Sequence, residues 1–128
     1  LTIVGDGTQT RDFTFVTDVV EAMYISAKSN VKNTIYNVGS GKTVSINYIA
    51  KILNEETVYI PKRPAEPDIT FADISKIRTE LNWVPKVSIE EGITLLLKNI
   101  KYWENAPVWT PQTIEEATKD WFHYLSIK

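Results

Sequence analysis

Apolar positions along the chain follow two periods. Leu1–Val4 and Phe13–Val16 are short runs of β-branched and aromatic residues, a composition that suits pleated strands. Gly5-Asp6-Gly7-Thr8 lies between them, and a glycine turn joining two such runs predicts a hairpin. Behind Asp18, read as an N-cap, Val20, Met23, Tyr24 and Ala27 recur at the three- and four-residue spacing of a helix face. Ile35–Val38 predicts a short strand ended by Gly39-Ser40-Gly41. Ser45 caps a predicted helix whose apolar face is Ile46, Ile49, Ala50 and Leu53, and Thr57–Ile60 predicts a further strand stopped by Pro61.

The stretch PKRPAEPD, Pro61 to Asp68, has three prolines in eight residues. It is excluded from helix interiors and central strands, and reads as a stiff, extended loop. Asp73 caps a short helix reaching about Leu81. Ser88 with Glu91 forms a capping box for a helix carrying Ile89, Ile93, Leu96, Leu97, Ile100 and Trp103 on one face. Thr113 with Glu116 repeats the box for a last helix, with Ile114, Ala117, Trp121, Tyr124 and Leu125 inward. The expectation is a mixed α/β (α+β) fold with short strands, one hairpin and about five helices. The only candidate joint is Asn105–Pro111, so residues 1–105 form a lobe and 106–128 a helical extension packed on it within the same domain.

Composition narrows the function classes. The chain has 128 residues, 43% of them apolar, and a net charge of −2. That balance argues against a nucleic-acid binder, which needs a basic stripe. There are no cysteines and one histidine, His123, which rules out thiolate and multi-histidine metal sites in one chain. No apolar window is long enough to span a membrane and no signal peptide opens the chain, so a cytoplasmic protein is expected. The sequence opens at Leu1 and its only methionine is Met23, which reads as a piece of something longer.

A catalytic inventory finds no G-x-S-x-G elbow, no Walker loop and no G-x-G-x-x-G after a strand. Gly39-Ser40-Gly41 reads as a plain strand-to-helix turn with a loose likeness to a phosphate loop. Glu90-Glu91 and Glu115-Glu116 read as first-turn acids favoured by the helix dipole. His123 reads as a surface or packing residue, and the tryptophans as core or interface, clustered after Tyr102 and away from the arginine loops. Arg11, behind a glycine turn, and Arg63, in the proline loop, stand on restrained backbone. A restrained arginine presents its planar fork with less entropy lost, which suits a phosphate. The plainer reading stays open: Arg11 pairs with Asp6 or Asp12, and Arg63 with Glu66.

Four stretches in series, GDGTQTRDFTFVTDVVEA, YNVGSGKTVSINYIAKIL, RPAEPDITFADISKIRTELNWVP and VSIEEGI, resemble the C-terminal part of the NAD-dependent epimerase/dehydratase family. These are extended short-chain dehydrogenases/reductases that act on nucleotide sugars, and the likeness runs from about residue 3 to residue 103. The resemblance implies that NAD and the Tyr-x-x-x-Lys pair belong to an N-terminal Rossmann lobe that this sequence lacks. Tyr24 to Lys28 matches Tyr-x-x-x-Lys only by chance, inside a different motif. No catalytic residue is therefore expected here, and the chain by itself is expected to be inactive.

Carried over by motif position, Arg11 and Arg63 would contact the substrate diphosphate, Glu66 the ribose hydroxyls, and Gln9 would line the same cleft. Ala65 departs from the family, which more often has glycine there. The implied partners are a nucleotide sugar, with a UDP-sugar as first guess, and the Rossmann lobe of the same protein, the full-length protein being a homodimer. The rival readings are a stand-alone, non-catalytic nucleotide-binding module and an interaction domain using the Trp-rich tail.

Overall fold

The N-terminal strands do not pair with each other. In the computed structural model, which describes residues 1–126, β1 (Thr2–Val4) lies parallel to β4 (Val58–Ile60), with Thr2 opposite Val58. β2 (Thr10–Arg11) lies antiparallel to β3 (Val44–Ser45). The predicted hairpin is therefore corrected. Gly5-Asp6-Gly7 does turn the chain, with Gly5 at φ 69° and Gly7 at φ 74°, but it turns it onto other elements. The Gly5 N–H donates to the Ile60 carbonyl, and the Asn47 N–H to the Gly7 carbonyl. Gly7 has no room for a side chain, because a Cβ would sit 2.0 Å from Asn47 Oδ1.

Five α-helices follow the expected order: α1 (Val16–Lys28), α2 (Ile46–Leu53), α3 (Ser75–Leu81), α4 (Ile89–Lys98) and α5 (Pro111–Leu125), with a 3₁₀ turn at Ile100–Trp103. Two of the predicted caps hold. The Ser45 side chain accepts from the Tyr48 N–H at the start of α2, and Ser88 from the Glu91 N–H at the start of α4. The box on the last helix moves back one turn. Thr110 and Thr113 bond reciprocally, with Pro111 in the first turn, where its missing N–H is not needed. Asp73 accepts from the Ser75 N–H two residues on, while Ile74 occupies the N-cap position. The predicted strand at Ile35–Val38 is irregular backbone, and Phe13 and Phe15 precede α1 instead of lying in a strand.

The core is small and built from helix-to-loop packing. Ala22, Ile77 and Trp83 are each 1% exposed, with Ile25, Tyr36, Val38, Ile74 and Leu81 against them. α1 thus turns Ala22 and Ile25 inward, and the predicted stripe of Val20, Met23 and Tyr24 faces out. Asp18 does not cap α1. It is 3% exposed in the first turn, and its Oδ2 accepts from the Val87 N–H at 3.1 Å, tying α1 to the loop before α4. Along α4 only Gly92 and Ile93 are buried, and α5 has no buried residue. Half-buried Ile114, Thr118 and Phe122 mark its inner face, while Tyr124 and Leu125 point out.

Candidate functional site

The turn before β2 and the proline loop after β4 meet at an arginine–carboxylate pair. Arg11 Nη2 lies 3.1 Å from Glu66 Oε1, with both side chains about one-fifth exposed. Arg11 Nη1 donates to the Thr10 carbonyl at 2.8 Å and, more weakly, to the Asp68 carbonyl at 3.4 Å. Backbone bonds fix both sides, from Thr10 N–H to the Asp68 carbonyl and from Thr70 N–H to the Thr10 carbonyl. The two loops are thus laced together along several residues, and the guanidinium sits on that lacing. Arg11 does not pair with Asp6 or Asp12, and Arg63 does not pair with Glu66.

Beside this pair is a cavity of about 250 Å³ whose lining includes Asp6, Gln9, Lys62, Glu66 and Asp68. Gln9 Nε2 donates to the Val4 carbonyl at 2.7 Å, so its amide links the end of β1 to the start of β2. Lys62 bonds to Asp68, and that carboxylate pushes the Lys62 ammonium pKa up. Asp6 accepts from both the N–H and the hydroxyl of Thr8, which lowers its pKa. The cavity therefore mixes one cation, Lys62, with fixed carboxylates, and Arg11 borders it through Glu66.

Asp12, read from sequence only as a possible partner for Arg11, proves to be the hub of the neighbouring loops. Its Oδ1 accepts the Ser40 N–H at 2.6 Å and its Oδ2 the Ala72 N–H at 3.3 Å. Gly39 is required there, since a Cβ would lie 2.6 Å from Asp12 Oδ2 and 2.5 Å from Ala72 Cβ. The Gly39-Ser40-Gly41 turn thus holds a carboxylate of this chain. The Ser40 amide is engaged by Asp12 Oδ1. The Arg-Asp order itself was the available signal: Arg11 ends β2 and Asp12 follows it, one side chain bonding toward the proline loop and the other toward the glycine turn.

Arg63 lies elsewhere. Its guanidinium carbon is 5.5 Å from the centroid of the Trp121 ring on α5, and Trp121 Nε1 donates to the Pro64 carbonyl at 2.8 Å. Arg63 Nε is buried without a partner, and among the described residues Arg63 makes no salt bridge. The expectation that the tryptophans stand away from the arginine loops is corrected by this contact. Ala65 has φ 57°, in the left-handed region where glycine is the unstrained residue.

The remaining candidates are unremarkable. Lys28 Nζ lies over the Tyr24 ring, 4.7 Å from its centroid, on the outer face of α1, and not at the phenol hydroxyl. His123 packs edge-on against Tyr124. Among the described residues no cluster of acidic or histidine side chains could hold a metal, and no helix is long and apolar enough to cross a membrane.

A mixed α/β lobe in which a G-D-G-x-Q-x-R-D turn meets an R-P-x-E loop defines a class: the C-terminal part of the extended short-chain dehydrogenases/reductases. The sequence profile of the family described as GDP-mannose 4,6 dehydratase matches residues 1–96, and the chain belongs to this family. The UDP-glucuronate 4-epimerase of Thermodesulfobacterium geofontis is 42% identical over 98 residues, which are 71% of this chain and 30% of that protein. The crystal structure of UDP-glucose 4-epimerase from Thermotoga maritima, solved with UDP-glucose, superposes with a TM-score of 0.74 at 32% identity, covering 82% of this chain and 36% of that one. UDP-glucuronic acid 4-epimerase from Bacillus cereus, solved with UDP-glucuronic acid and NAD, gives 0.70 at 34% identity, covering 80% and 35%. The chain spans about a third of the length of these relatives.

Proposed function

We propose that this chain is the nucleotide-sugar-binding part of an NAD-dependent nucleotide-sugar epimerase or dehydratase, and that it receives the nucleoside diphosphate of a UDP-sugar. The observation that carries the reading is the Arg11–Glu66 pair, in which the two loops singled out by sequence meet beside one cavity. Arg11 would contact the diphosphate, with Glu66 released from it to accept from the ribose hydroxyls. Gln9 would line the cleft and Arg63 would approach the phosphates from the α5 side. The crystal structures of relatives with UDP-glucose and UDP-glucuronic acid support the choice of UDP.

NAD and the proton-transferring side chains would come from an N-terminal Rossmann lobe. When bound, NAD would supply reversible hydride transfer at a sugar carbon. This chain would supply binding and orientation, so that the energy of holding the remote nucleotide places the sugar for reaction. The outward stripe of Val20, Met23 and Tyr24, each more than half exposed, is the surface such a lobe would cover. The full-length protein would be a homodimer in the cytoplasm, and the isolated chain would be inactive.

Titration of the full-length protein with UDP tests this. Micromolar binding is expected, and Arg11→Ala should weaken it by ~10–100-fold, the value of one charge-assisted contact. Absence of UDP binding, or binding indifferent to Arg11, would overturn the reading.

A further inference from the structure

Trp121 is the point at which α5 meets the proline loop, and both ends of its indole are engaged. The N–H is directed to the Pro64 carbonyl at 2.8 Å, and the ring lies under the Arg63 guanidinium at 5.5 Å. A cation over a ring face is attracted by the ring quadrupole, and that attraction uses none of the guanidinium's N–H donors, which stay available to other acceptors. Arg63 makes no salt bridge among the described residues, so its orientation rests on the ring and on the loop backbone. The ring is in turn oriented by its bond to Pro64. The rest of α5 does little to seat the helix: two cavities, of about 690 and 560 Å³, flank Arg63 between the lobe and the helix. Trp121 thus makes directed contacts on a helix that is otherwise only lightly packed.

We propose that Trp121 is a positioning residue for diphosphate binding: its ring is the surface against which the Arg63 guanidinium is held, and its N–H fixes that surface to the loop. Trp121 touches no substrate. It acts through Arg63, by reducing the freedom that guanidinium would lose when a phosphate is bound. The inference rests on the proposed binding of a nucleoside diphosphate, and assigns to the helix after residue 110 a part in that binding.

The test is calorimetric titration of the full-length protein with UDP and with uridine, for the wild type, Trp121→Ala, Trp121→Phe, Arg63→Ala and the double variant Trp121→Ala/Arg63→Ala. Trp121→Ala should weaken UDP binding by ~10-fold, comparable to the loss of a modest directed contact, and leave uridine unchanged. Trp121→Phe, which keeps a ring, should recover part of the loss. In the Arg63→Ala background Trp121→Ala should have no further effect, the signature of two residues acting as one. Equal losses for UDP and uridine, full additivity with Arg63→Ala, or unchanged or tighter UDP binding by Trp121→Ala would each overturn the proposal. Weakening by Arg63→Ala with none by Trp121→Ala would remove this inference and leave the nucleotide-binding reading standing; a wild type that binds no UDP would remove both.

Discussion

Trp83 and Trp121 hold the molecule in opposite ways. Trp83 is 1% exposed, packed with Ala22 and Ile77, and its indole N–H is buried with no partner. Trp121 is 38% exposed, but its N–H is bonded and its face covered by an arginine. The first contributes by area removed from water, with no directional bond. The second contributes direction with little burial. A side chain of the same type therefore serves the stability of the lobe at one place and the orientation of a loop at the other.

The largest expected effect breaks the comparison at its buried end. Trp83→Ala should lower unfolding free energy by ~3–5 kcal/mol, read from urea denaturation of the full-length protein. Trp83→Phe should cost less than its lost volume suggests, because it also removes an unsatisfied donor. If Trp83→Ala cost under ~1 kcal/mol, the core would lie elsewhere.

Asp12 comes next, since it stabilises loops by directed bonds, as Trp121 does, but from a more enclosed position. Asp12→Ala leaves the Ser40 and Ala72 amides without their carboxylate and should cost ~1–3 kcal/mol. Its loss should also speed hydrogen exchange at both amides, and unchanged exchange would show that water replaces the carboxylate. At the exposed end, Trp121→Ala should shift global stability by less than ~1 kcal/mol, while amides of α5 exchange faster. A cooperative loss as large as that of Trp83 would show α5 to be part of the main core.

The smallest effect concerns a tie between α2 and α4. Tyr48 donates to Glu90 Oε1 at 2.5 Å, which pulls the Glu90 carboxyl below its usual pKa and pushes the Tyr48 phenol up. A carboxyl whose pKa is lowered by folding adds stability that is present above its unfolded pKa and is lost as pH falls through the lower, folded one. Tyr48→Phe should raise the Glu90 titration midpoint toward the ordinary glutamate value, followed by NMR of the side-chain carbon. An unmoved midpoint would mean that the bond does not persist in solution. Tyr36, pushed up to about 12 by its bond to Glu80, offers the same measurement from the alkaline side.

What was legible in the sequence was local. Ser45 and Ser88 announced their helices because a cap is satisfied within three residues. Pro61 to Asp68 announced its lack of regular structure because proline acts on its own backbone. The pairing of β1 with β4 was not legible, because short apolar runs do not state their partners, and the glycine turn between the first two runs suggested the nearest one. Periodicity on α1 showed that an apolar face exists but not what covers it. Asp18 looked like a cap because it precedes a helical apolar pattern, and its real acceptor role, toward Val87 far along the chain, has no local signal. Arg11, Glu66 and Gln9 were reached through the family motifs, and the structure brings them to one side of the proline loop. The Arg63–Trp121 contact depends on how a late helix folds back, and nothing near either residue encodes that.

The parallel register of Thr2 with Val58 also has a consequence in time. A ribosome extending the chain at roughly 5–20 residues per second makes β1 wait on the order of 3–11 s before β4 has even been synthesised. Throughout that interval Ile3, which ends 2% exposed, is without its β4 partner. An unpaired apolar edge is a template for other chains, and here the hazard is limited by the brevity of the strand, three residues followed at once by a glycine turn. The G-D-G turn that docks on α2 in the finished fold would thus serve the nascent chain first, as the point where a vulnerable edge stops.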